Sequence, residues 1–106
     1  MATLEQLRRI ETIIKKHVGK ENQISSGEIG PEIGIHEDAT HVQVRNIIRE
    51  AIERLNLPIG GGNKGYYLIK NEDELSQYQE GLIRRIDEME KRKYLIEKAF
   101  KVYYEK

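Results

Sequence analysis

Three stretches carry side chains whose types and spacing could do chemistry. The first is HEDATH, residues 36–41, where two histidines and two carboxylates crowd together. A zinc-protease helix needs H-E-x-x-H, with two imidazoles one helical turn apart and a glutamate as base. His36 and His41 are instead five positions apart, and a helix-capping pattern begins at Thr40, so a solvated turn is expected and no metal. The second is GGGNKG, in which Gly60-x-Gly62-x-x-Gly65 satisfies the spacing of a dinucleotide-binding loop. Such a loop must follow a strand and open a helix, whose N-terminal amides face the pyrophosphate. Here YYLI follows, which reads as a strand, and Gly65 is not succeeded by the Lys-Ser/Thr of a P-loop. The expectation is a hairpin whose glycines supply positive-φ turn positions, with no cofactor. The third stretch, THVQVRNIIRE, sets Thr40, His41, Val42, Gln43, Arg45, Asn46 and Arg49 along one run. These types suit base edges: arginine bonds guanine bidentately, asparagine or glutamine bonds adenine, and an apolar group meets the thymine methyl.

Catalysis finds no comparable set. With three histidines and no cysteine, neither a thiol nucleophile nor a serine-histidine-acid arrangement can be assembled, and no enzyme is expected. The absence of cysteine also excludes a disulfide framework and thiolate metal sites. The 106 residues are 38% apolar and 34% charged, enough for one small core. No run approaches the roughly 20 apolar residues of a membrane span, and the N-terminus has no signal-peptide pattern, so a cytoplasmic protein without membrane contact is expected. Net charge is zero, from 18 basic and 18 acidic side chains. That balance weighs mildly against nucleic acid, whose partners are usually basic.

Periodicity indicates the elements that must hold these residues. Leu4, Leu7, Ile10, Ile13, Ile14 and Val18 recur at helical spacing behind a Thr3–Gln6 capping box. Gln23-Ile24 reads as a very short extended piece. Ser25 and Glu28 open a short helix ending near Gly34, weakened by Gly30 and Pro31. A box of Thr40 with Gln43 opens the next helix, whose inner face is Val44, Ile47, Ile48, Ala51, Ile52 and Leu55. Pro58 stops it near Asn56. Leu57–Ile59 and Tyr66–Ile69 then make two strands about a glycine turn. Asn71 and Glu74 cap a helix that meets no breaker before the end of the chain.

The order helix, short strand, helix, turn, helix, strand, glycine loop, strand resembles a winged helix-turn-helix domain. The resemblance rests on ISSGEIGPEIGI, THVQVRNIIREAIERLNLPIG and NKGYYLI, and it is similar to small phage and prokaryotic proteins of that class that carry a helical tail. It implies a mainly α fold with a small β-hairpin wing (α+β), residues 1–70, followed by one long C-terminal helix, residues 71–106. It further implies sequence-specific binding of double-stranded DNA, as in a small transcriptional regulator or a phage or plasmid control protein. In that reading residues 40–49 enter the major groove, and Asn63 and Lys64 of the wing touch the backbone or minor groove. One departure stands out: His36-Glu37-Asp38-Ala39 intervene where a compact domain turns at once, and Glu37 and Asp38 would meet phosphates unfavourably.

The tail needs a partner of its own. Leu75, Leu82, Met89, Ile96 and Tyr103 recur every seven residues, widened by Tyr78, Ile86 and Phe100. Arg85 and Arg92 interrupt the pattern of a strict leucine zipper. Residues 72–90 hold seven acidic and two basic side chains, and residues 91–106 hold two acidic and six basic. That asymmetry favours a homodimer with antiparallel tail helices. Alternatives are a tail folded back on the first helix, or a tail that recruits a second protein, as in a replication-initiation complex. A protein-interaction winged helix that binds no DNA is the reading that zero net charge favours.

Overall fold

The structure is a computed structural model, and it describes residues 1–36 and 39–105. Glu37 and Asp38, expected to form an acidic turn, lie outside the described residues. The architecture is α+β: helices α1 (Leu4–Ile14), α2 (Ser26–Glu32) and α3 (Val42–Leu55), an antiparallel hairpin of β1 (Ile59–Gly62) and β2 (Gly65–Leu68), and a long helix α4 (Glu72–Tyr104). The chain divides into two compact units, Met1–Glu74 and Leu75–Lys106. None of the described helices is long and apolar enough to cross a membrane.

Helices α1 and α2 both begin at a local cap, but only α2 also ends for a local reason. The Thr3 hydroxyl accepts from the Gln6 amide at 3.1 Å while Gln6 Oε1 accepts from the Thr3 amide at 3.0 Å, a reciprocal capping box. Helix α1 stops at Ile14, earlier than the apolar spacing implied. Val18 has left the helix and bridges Leu68, and both Val18 and Leu4 are exposed. In α2 the Ser25 hydroxyl accepts from the Glu28 amide at 3.2 Å, and Gly34, at φ 81°, ends the last turn. Gly30 is bare because a Cβ there would stand 2.9 Å from the Ile35 carbonyl, which folds back over the helix.

The core lies among the three helices and one face of the hairpin. Leu7, Ile10 and Ile14 of α1, Ile29 of α2, and Val44, Ile48 and Ala51 of α3 are all buried. Ile24, Leu57, Ile59 and Tyr67 extend this core to the hairpin side. Two members of the expected α3 face differ: Ile52 is exposed and Leu55 only partly buried. The stripe is therefore narrower than the sequence spacing implied.

The glycine triplet proves to be strand rather than turn. Gly60, Gly61 and Gly62 pair with Tyr67, Tyr66 and Gly65, leaving Asn63 and Lys64 as the whole turn. Within this loop only Gly65, at φ 143°, has a positive φ. Space explains two of the other three glycines, Gly60 and Gly62. A Cβ on Gly60 would stand 2.8 Å from the buried Tyr67 ring, and one on Gly62 would stand 2.6 Å from Gln23 Oε1. The expectation of a positive-φ glycine holds at Gly65, and at Gly60 and Gly62 it is corrected to one of close approach. Ile24 adds a single antiparallel bridge to Tyr66, with amide-to-carbonyl bonds of 2.8 Å in both directions.

Candidate nucleic-acid interface

Helix α3 presents the candidate residues on the side away from the core. Val44, Ile47, Ile48 and Ala51 are buried, whereas Gln43, Arg45, Asn46 and Arg49 are exposed and Val42 is 40% exposed. At about 100° per residue, Val42, Arg45, Asn46, Arg49 and the exposed Glu53 fall on one face, with Gln43 beside it. Arg54 is tied down, bonding Glu50 at 3.4 Å and the Ala2 carbonyl at 3.3 Å. Arg45 and Arg49 make no ion pair among the described residues. The two residues are four positions, about one helical turn, apart on an exposed face.

The start of α3 differs from expectation. Thr40 is a turn residue, and the N-cap is His41, which sits in the left-handed region at φ 57°, ψ 23° and makes no side-chain cap bond. The Thr40–Gln43 capping box is not formed. The reason is conformational: a cap at Thr40 would require His41 to be the first helical residue, and its left-handed backbone cannot join a right-handed helix. Thr40 and His41 remain exposed ahead of Val42. A shallow cavity beside them, about 90 Å³, is lined by Ser26, Gly30, His36 and His41 among others. Among the described residues no group of three or more histidine, aspartate or glutamate side chains could hold a metal.

The hairpin tip is held by a residue that sequence reading did not single out. Gln23 Oε1 accepts from the Lys64 amide at 2.9 Å, and Gln23 Nε2 donates to the Lys20 carbonyl at 3.0 Å. The Asn63-Lys64 turn is thereby pinned from the α1–α2 connection, with both side chains exposed. Glu74 is a second unanticipated residue. Its amide donates the cap bond to Asn71 Oδ1 at 2.9 Å, and its buried carboxylate accepts from the Lys20 and Lys70 amides, each at 3.1 Å. No local pattern announces the long-range half of either set, Gln23 with Lys64 and Glu74 with Lys20, because those partners lie in distant parts of the chain.

In the second unit, the tail stripe stands open to solvent. Leu75, Leu82, Ile86, Met89, Ile96, Phe100 and Tyr103 are exposed and Tyr78 is partly buried. Ile83, Tyr94 and Tyr104, outside the expected stripe, are exposed as well. Phe100 and Tyr104 meet at a tilt of 47° with centroids 4.8 Å apart, and Tyr103 meets Tyr104 edge-on at 4.9 Å. Compared with known proteins, the chain matches no family model, no curated protein and no solved structure.

Proposed function

We propose that residues 1–70 form a winged helix-turn-helix domain that binds double-stranded DNA sequence-specifically, and that the protein acts as a homodimer, in the manner of a small transcriptional regulator or a phage or plasmid control protein. The observation that carries this reading is the outward face of α3. Arg45 and Arg49 stand one turn apart among Val42, Gln43 and Asn46, without an ion pair among the described residues. Surface arginines on solvated helices commonly pair with neighbouring carboxylates, as Arg54 does here with Glu50. Support also comes from element order, from α2 packed on α3, and from the two-stranded hairpin with its Ile24 bridge. In this reading α3 enters the major groove, and Asn63 and Lys64 contact the sugar-phosphate backbone or minor groove.

The test is fluorescence anisotropy of labelled genomic and random duplexes at two salt concentrations. A groove reader binds some fragments more tightly than others, and its affinity falls steeply with salt. Arg45→Ala and Arg49→Ala are each expected to cost about 1–3 kcal/mol and to narrow the preference between fragments. Absence of binding at about 50 mM salt rejects the DNA reading. That outcome favours a protein-interaction domain, to which the equal count of 18 basic and 18 acidic side chains points.

A further inference from the structure

The exposed stripe of α4 serves nothing in the DNA-binding face and is too long to remain wet. Apolar patches of this extent on soluble proteins are normally covered. Leu75, Leu82, Met89, Ile96 and Tyr103 run along one line of a helix of 33 residues, spanning most of its length. We infer that this stripe is covered by the same stripe of a second copy running antiparallel, with the two-fold axis at Met89. The inference deepens the two-copy part of the proposed function and does not depend on its DNA part.

Two independent features of the helix select that arrangement. The first is charge. Residues 72–90 are strongly acidic and residues 91–106 strongly basic, so an antiparallel pair sets each acidic half beside a basic half. A parallel pair would set like beside like along its whole length, which is destabilising. The second is register. With Met89 against Met89 of the second copy, Leu82 faces Ile96, Leu75 faces Tyr103 and Tyr78 faces Phe100. Each of these apolar positions then meets another, which a shift of one heptad in either direction would undo at the ends. Arg85 and Arg92 share the heptad position of Tyr78 within the seam, Arg92 facing Ile86 of the second copy, and there their aliphatic stems cover apolar surface while their charged heads reach water. Because the axis lies midway along the stripe, the first turns of the two α4 helices fall at opposite ends of the paired segment.

Spin-label distances in the full chain test this directly, since there is no native cysteine to remove. Ser76→Cys and Lys98→Cys carry the nitroxides, both at exposed positions off the stripe. At about 1.5 Å per residue, the antiparallel pair sets the two position-76 labels about 39 Å apart and the two position-98 labels about 27 Å apart. A slip of one heptad moves these two distances by about 10 Å in opposite directions. Parallel pairing gives short distances at both sites, near the roughly 10 Å interaxial spacing. Met89→Glu, which brings two carboxylates together at the axis, is expected to convert the dimer to a monomer in sedimentation velocity while residues 1–74 keep their unfolding midpoint. The inference is overturned by short distances at both sites, by the slipped pair of distances, by a dimer that survives Met89→Glu, or by a monomeric wild type without dipolar modulation at tens of micromolar. Duplex titration of the same labelled protein separates the two ideas: an antiparallel dimer that binds no DNA removes only the DNA reading.

Discussion

Alanine at Gly65 should cost far more than alanine at either Gly62 or Gly34, because of what a Cβ would meet at each. At Gly65 a Cβ would collide with the Ile24 carbonyl and approach the Ser25 amide nitrogen at 2.8 Å. Those are backbone atoms held in the Ile24–Tyr66 bridge by two 2.8 Å hydrogen bonds, so relief requires breaking the bridge. Losing two backbone bonds costs about 1 kcal/mol each. Holding alanine at φ 143° adds about 1–2 kcal/mol. The total is roughly 3–4 kcal/mol, a large part of the stability of a unit this size. At Gly62 the obstacle is the flexible end of Gln23, so Gly62→Ala displaces one side-chain bond to the Lys64 amide and costs about 1 kcal/mol. At Gly34, with φ 81° and no atom within 4 Å of a Cβ, only backbone strain remains, again about 1 kcal/mol. Thermal unfolding followed by near-UV tyrosine signals, which report the hairpin better than total helicity does, measures the series. At about 4–8 °C per kcal/mol, Gly65→Ala should lower the midpoint by more than about 12 °C and the other two by less than about 8 °C. If Gly65→Ala costs no more than Gly34→Ala, close approach is not the reason for the glycine and the argument fails.

Three further outcomes follow from the contacts. Glu74→Ala leaves the Lys20 and Lys70 amides without their shared acceptor, and each should exchange hydrogen faster, with about 2 kcal/mol lost from Met1–Glu74; unchanged protection at both amides would contradict the anchoring role. Lys64→Ala should weaken binding evenly across duplex sequences and reduce the salt slope by about one, whereas a changed sequence preference would make Lys64 a base reader rather than a phosphate contact. The Glu21 carboxyl is held below its ordinary value of 4.5, first by its own backbone hydrogen bond and then by the Lys70 ammonium at 3.1 Å. A depressed acid contributes stability above its unfolded value and loses it as pH falls through the folded one. The small stability difference between wild type and Lys70→Ala in urea titrations should therefore be present at pH 7 and shrink on acidification below 4.5; a difference that grows there would reverse the sign of the argument.

Much of the architecture is legible because it rests on short-range rules. The Thr3–Gln6 box, the Asn71 cap and the stop imposed by Pro58 each depend on residues within one helical turn. The buried faces of α1 and α3 follow from helical spacing, since a stripe of isoleucine and leucine has to leave water. The same rules fail where contacts cross between elements. Val18 fits the spacing of α1, but its backbone is claimed by a bridge to Leu68, so the helix ends four residues earlier than the pattern does. Thr40 fits a cap, but the left-handed backbone of His41 moves the helix start to Val42.

By itself, the sequence determined the order and type of the elements, the sidedness of α3 and the charge division of the tail, because periodicity and charge are properties of the chain as written. It also placed Val42, Asn46, Arg49 and Glu53 on one face, flanked by Gln43 and Arg45. Only the tertiary structure decided what the glycines are for: Gly60 and Gly62 lie in paired strand because Tyr67 and Gln23, far away in sequence or across the hairpin, occupy the volume a side chain would need. It also decided which arginines are tied down, since Arg54 finds Glu50 and the Ala2 carbonyl. And it gave Glu74, in sequence an ordinary first-turn acid, two backbone amides to hold. In each case at least one deciding atom, from Gln23, Tyr67, Ala2 or Lys20, is brought in by the tertiary fold, and nothing local to the residue encodes its arrival.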